Sequence, residues 1–104
     1  MYVTEILSWQ AKAEVTDEQM VAAVNAMLPD LKILPGFLFQ SLSKDSQGRW
    51  VEVYFWQTTE DAHNSNELMA KKASLAHLMQ LLHAETIEME VMLPLQDSGA
   101  LLLP

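Results

Sequence analysis

The chain has 104 residues, enough for one domain, with 6 basic and 14 acidic side chains and a formal charge of −8. Half of the residues are hydrophobic and 19% are charged, a globular composition, and the three Gly and four Pro leave no room for linker or low-complexity sequence. The absence of Cys excludes disulfides, thiolate catalysis and Cys-based metal centres.

Partners can be narrowed on the same grounds. Nucleic acid and anionic membrane surfaces both need clustered Lys and Arg. Here Lys71 and Lys72 form the one adjacent basic pair and Arg49 is the sole arginine. No apolar run approaches the roughly 18 residues that span a bilayer. Met1 leads straight into a strand-like run without a basic segment or a small-residue cleavage site, so the expected compartment is the cytoplasm.

Residues 2–10 are rich in β-branched and aromatic side chains and predict a strand. Thr16 with Gln19 three residues later is a capping box, with Asp17 and Glu18 in the first helical turn. Met20, Val21, Val24, Met27, Leu28 and Leu31 then recur at helical spacing. Pro29 predicts an end or a bend near Leu28, because its ring clashes with the carbonyl four residues back.

Pro35-Gly36 is a turn that opens a second strand over 37–43, and Lys44 to Gly48 reads as a hairpin loop into a third strand over 49–56. Thr58 or Thr59 caps a second helix running towards Leu82, weakest over 71–74, with Ser74 as a second cap after a break. Residues 86–92 alternate Ile87, Met89 and Val91 with Glu88, Glu90 and Met92, a half-buried fourth strand. The order β-α-β-β-α-β is the ferredoxin-like arrangement: an α+β fold whose four-stranded antiparallel sheet carries both helices on one face. The bare face predicts a homodimer in which two sheets pack together. This domain spans 1–93; residues 94–104 form an apolar tail expected to lie over a groove or to fray.

Strand three divides its side chains between two faces. Val51, Val53 and Phe55 read as a core face, whereas Trp50, Glu52, Tyr54 and Trp56 form an unusual one. A carboxylate among aromatics on a central strand has a raised pKa if desolvated, and can then take or give a proton to a phenolic substrate. The alternative is that this face is the dimer seam, with Glu52 hydrogen-bonded across it. Glu5 lies on the other central strand, where it could share a proton with Glu52 if the register allows.

Helix two carries His63, Asn66 and, if continuous, His77. The two histidines are about 21 Å apart along a helix and cannot share a metal, so no metal site is expected. His77 is either a half-buried core histidine or a general base. The methionines at 20, 27, 69, 79, 89 and 92 fall on apolar faces, and Trp9 ends strand one at a pocket mouth or at the dimer seam. No phosphate loop, dinucleotide fingerprint or nucleophile elbow is present, so no cofactor is expected.

The runs Pro35-Gly36-Phe37-Leu38, Gly48 to Trp56 and Thr59-Glu60-Asp61-Ala62 resemble the antibiotic biosynthesis monooxygenase-like group of small dimeric α+β barrel proteins, over residues 2 to about 92. The resemblance implies a homodimer with an apolar pocket between sheet and helices in each subunit. Its members include oxygenases that use neither metal nor flavin on aromatic polyketide-like substrates, and relatives that degrade haem. The haem-degrading branch uses an Asn on strand one and a Trp and a His on helix two. This chain has Glu5 and Leu7, Ser65 and His77 in those regions, one matching type of three. The quinone-forming branch uses Asn, Trp, Tyr and Arg; Tyr54, Trp56 and Asn66 match by type, while Arg49 begins a strand.

The expected function is therefore a cofactor-independent monooxygenase-like protein. Glu52, Tyr54 and His77 would be catalytic, with Trp9, Trp56, Asn66 and Met69 binding a small apolar or aromatic substrate in a pocket of a few hundred Å³. The alternatives are a non-catalytic binding or accessory dimer and, less favoured, haem binding through His77.

Overall fold

Each element begins where its local chemistry allows. The computed structural model describes residues 1–99. Four strands, β1 (Val3–Trp9), β2 (Phe37–Lys44), β3 (Trp50–Trp56) and β4 (Glu88–Met92), form one antiparallel sheet in the order β2-β3-β1-β4. Three helices, α1 (Asp17–Lys32), α2 (Thr59–Met69) and α3 (Ala73–Met79), connect them, with a 3₁₀ turn at Ala84–Thr86 before β4.

The capping box of α1 forms as its spacing predicts. Thr16 Oγ1 accepts from the Gln19 N–H at 3.1 Å, and Gln19 Oε1 accepts from the Thr16 N–H at 2.8 Å. Thr58 caps α2 in the same way, accepting from the Asp61 N–H at 3.0 Å. In the β2–β3 hairpin, Asp45 Oδ1 accepts from the N–H groups of Gln47 and Arg49, and Gly48 takes a φ of +83°.

Pro29 neither ends nor shortens α1, which runs to Lys32. Two contacts hold the turn beyond it. Leu31 is buried in the core, and Asp30 accepts a hydrogen bond from Ser74 Oγ of α3 at 2.7 Å. Ser74 is thus used as a tie between helices and not as a cap; the cap of α3 is Lys72, without a side-chain hydrogen bond. The predicted weak stretch is a true break, which makes α2 and α3 separate helices.

The register decides which residues share a face. Glu5 stands opposite Tyr54, Leu7 opposite Glu52 and Trp9 opposite Trp50. These side chains point to the helices, and Trp50, Glu52, Tyr54 and Trp56 are all buried there. The expected division of β3 is therefore reversed. Val51, Val53 and Phe55 belong to the open face, where they are half-buried, beside Ile6 and Phe39. Tyr2 and Phe39 pack on Phe55 there, with ring centroids 5.0 and 5.3 Å away. The three helices need a broad aromatic and Met-rich bed, and the larger side chains supply it. The reversal also removes the dimer-seam reading of Glu52, since helices of the same chain cover it.

β4 is shorter than predicted, because residues 84–86 turn before it, and only Val91 of its five residues is half-buried. Val91 faces Glu5 and Met89 faces Leu7 on the helix side, although Met89 is exposed at the sheet edge. Met20, Met27 and Met69 are buried, while Met92 is exposed. Leu93 and Leu95, at the start of the tail, are exposed; residues 100–104 of it lie outside the described residues. Among the described residues no helix is long and apolar enough to cross a membrane.

Candidate active site

Two carboxyl groups lie beneath the helices where an apolar core would place none. Glu5 of β1 and Glu52 of β3 are each 1% exposed. Period-two alternation on two paired strands puts both on the helix face, and the register makes them diagonal neighbours. Isolated charges cost too much to bury, so such groups must be paired, hydrogen-bonded or neutral.

Each carboxyl has one firm partner. Glu5 Oε1 accepts from the indole N–H of Trp56 at 3.0 Å, and Glu52 Oε2 accepts from the Gln40 amide at 2.7 Å. Burial pushes the Glu52 carboxyl up to about 7, against the hydrogen bonds of Gln40 and Tyr54, with the charge of Glu5 adding to the rise. Burial also raises Glu5, offset by the Trp56 hydrogen bond and by the charge of His63 on α2. The Tyr54 hydroxyl is pushed above its ordinary range, first by burial and then by its carboxyl neighbours.

The carboxyls open onto a cavity of about 90 Å³ between sheet and helices. Trp9, Tyr54 and Trp56 supply aromatic walls, the last two stacked at 5.6 Å. Leu31 of α1, Met69 of α2 and Leu78 of α3 close the helix side. Asn66 also lines the cavity and is solvent-exposed, which puts it at the mouth. The space is smaller than the few hundred Å³ expected, and Met27, Met69 and Met79 are among the flexible side chains that line it.

Six of the seven expected site residues, Glu52, Tyr54, Trp9, Trp56, Asn66 and Met69, thus line one cavity. His77 does not: the break after α2 carries it onto α3, where it is solvent-exposed and outside the lining. Arg49 is also elsewhere. Its guanidinium donates to Ser8 Oγ, the Thr86 carbonyl and Glu88, pinning the end of β4 to the sheet. Glu5 was legible as a buried carboxyl only through the register, which the sequence leaves free.

Among the described residues, two buried side-chain polar atoms have no hydrogen-bond partner: Glu5 Oε2 and Trp9 Nε1. Both belong to side chains that line the cavity. The arrangement can hold a small, mainly apolar molecule and exchange a proton with it near neutral pH. Among the described residues no three His, Asp or Glu side chains gather into a group that could hold a metal ion.

No protein-family profile matches the sequence, and no curated protein matches it. Solved structures do. SnoaB from Streptomyces nogalater, described as a cofactor-independent oxygenase, is 15% identical over 95% of this chain and 98% of its own, with a TM-score of 0.71. Rv0793 from Mycobacterium tuberculosis is 16% identical over 95% of this chain and 100% of its own, with a TM-score of 0.69. A candidate antibiotic biosynthesis monooxygenase from Nitrosomonas europaea is 16% identical over 94% of each chain, with a TM-score of 0.70. Element order, sheet topology and these likenesses agree: the chain has the fold of the antibiotic biosynthesis monooxygenase-like proteins.

Proposed function

We propose that this protein is a cofactor-independent, monooxygenase-like enzyme that acts on a small apolar or aromatic molecule in the helix–sheet cavity. The observation that carries the reading is Glu52, whose carboxyl is pushed up to about 7 by burial inside a cavity walled by Tyr54 and Trp56. A general base works best when its pKa lies near the working pH. The Glu52 carboxylate would take a proton from an activated CH₂ next to an aryl or carbonyl group. The carbanion then reduces O₂: the carbon becomes a carbonyl and the second oxygen leaves as water. The substrate supplies the electrons, so the step needs no metal or flavin. Trp9, Trp56, Asn66 and Met69 would hold the substrate; a cavity of about 90 Å³ favours molecules of one small ring over polycyclic ones.

The open sheet face supports a homodimer, since Ile6, Val53, Phe55 and Phe39 form a continuous apolar surface that a second copy would cover. The test of the catalytic reading is oxygen uptake with a panel of one-ring substrates bearing acidic CH₂ groups. Activity should rise with pH through about 7, and Glu52→Gln should lower kcat by about 100-fold or more. A binding or accessory role is the second reading, favoured by the small cavity and by the position of His77 outside it. Ligands that bind without consuming oxygen would establish that role instead.

A further inference from the structure

We propose that the cavity receives a small primary amine, with its ammonium group held by Glu5 and Glu52 and its apolar body against Trp9, Tyr54 and Trp56. The inference goes beyond the oxygenase reading: it concerns the charge of the ligand, and it shares with that reading the cavity, Glu52 and the aromatic walls.

Two carboxyl groups share the cavity wall, each 1% exposed, and none of the residues lining it is Lys, Arg or His. Their hydrogen-bond partners are all neutral, Trp56 for Glu5 and Gln40 and Tyr54 for Glu52. The groups that face them are Tyr54 from β3, His63 from α2, and only apolar side chains from α1 and α3. His63 acts on Glu5 through its charge, but it is exposed and does not line the cavity. Burying two acids without an internal counter-charge is costly, and removing the partner of a buried ion leaves the penalty uncompensated. A ligand that brings the positive charge relieves it.

The vacant acceptor fixes where that charge sits. Glu5 Oε2 has no partner, so it can take an N–H donor at once. The complementary vacancy, the Trp9 indole N–H, stands four residues along β1, about 13 Å away at Cα, too far to satisfy Glu5. Aromatic rings next to carboxylates suit an organic cation, since ring faces attract positive charge. A hard metal ion would need six or more oxygen ligands, which two carboxyls cannot provide.

The experiment is an NMR titration of the full chain, following the indole N–H signals of Trp9 and Trp56. Isobutylamine is compared with isobutanol, its neutral counterpart, at about pH 8 and about pH 5. The amine should bind at least about tenfold more tightly at pH 8, and this advantage should shrink to about threefold or less at pH 5, where Glu52 holds its proton. Glu5→Gln should abolish the advantage at pH 8; should that variant fail to fold, Glu52→Gln provides the same comparison. Equal binding of the alcohol at pH 8, an amine preference unchanged at pH 5, or indole signals moved by neither compound would overturn the proposal, the last leaving buried water as the occupant. No oxygen is consumed in the titration, so failure here is distinct from failure of the oxygen-uptake test.

Discussion

Glu5 and Glu52 stand on the two central strands two pairing steps apart: Glu5 faces Tyr54, Glu52 faces Leu7, and both point under the helices. This diagonal ties stability to pH. Glu52 holds its proton up to about 7 in the folded protein, while its ordinary value is 4.5. Between those values the folded state binds more protons than the unfolded chain, so stability falls as pH rises from about 4.5 to about 7 and is flat with respect to this group above that. Glu5 is shifted the same way. Glu52→Gln should remain folded and should lose much of the slope. Urea denaturation at half-unit pH steps, wild type against variant, measures it; parallel curves would show that Glu52 does not carry the dependence.

Gly36 has a φ of +78°, and its carbonyl accepts from the Gln57 N–H at 2.9 Å. An added Cβ there would collide with the side chain of Asp61 in the first turn of α2. Gly36→Ala therefore combines a disfavoured backbone with a clash and should cost about 2 kcal/mol or more. Asp61→Ala should recover only part of that loss in the double variant, because its Cβ and the backbone penalty remain. Thermal unfolding of both single variants and the double variant separates the contributions.

The element order was legible because it rests on local signals. Thr16 with Gln19, Thr58, and Pro35-Gly36 each act within a few residues, and each does what its chemistry predicts. The candidate site was legible by residue type, since Glu52, Tyr54 and Trp56 share a face by alternation alone. What alternation cannot tell is which face the helices cover. Val51, Val53 and Phe55 look like a core because the open face is also apolar. His77 shifted for a different reason: the break after Met69 resets the helical phase, so angles counted across it lose meaning. Cavity size depends on how the Met side chains pack, and no pattern in the sequence encodes that.

Pro29 lies inside α1 and is exposed. It has no N–H to give to the Asn25 carbonyl, so the helix lacks one bond and carries the ring clash. The burial of Leu31 and the Ser74–Asp30 hydrogen bond hold the last turn in spite of it. Pro29→Ala should therefore stabilise the protein by about 1 kcal/mol or more, the gain in the helix exceeding the added freedom of the unfolded chain. A raised urea midpoint with an unchanged slope is the expected result; a lowered midpoint would mean that the proline ring is needed for packing.

Val53 sits at the centre of the open face, opposite Ile6 and flanked by Val51 and Phe55. Were it part of the core under the helices, Val53→Asp would leave an unpaired buried charge and prevent folding. On the open face the same substitution leaves each subunit's own core untouched and meets its cost only when a second sheet covers it. For the homodimer proposed above, the expected outcome is a folded monomer, with the far-ultraviolet spectrum of the parent and half its mass by light scattering. Two charges brought together at a two-fold seam would repel as well as lose their water, so the effect should persist at high salt, where desolvation remains although repulsion is screened. An unfolded variant would restore the core assignment of this face. A variant that still dimerises would place the subunit contact elsewhere and leave the sheet free for another partner.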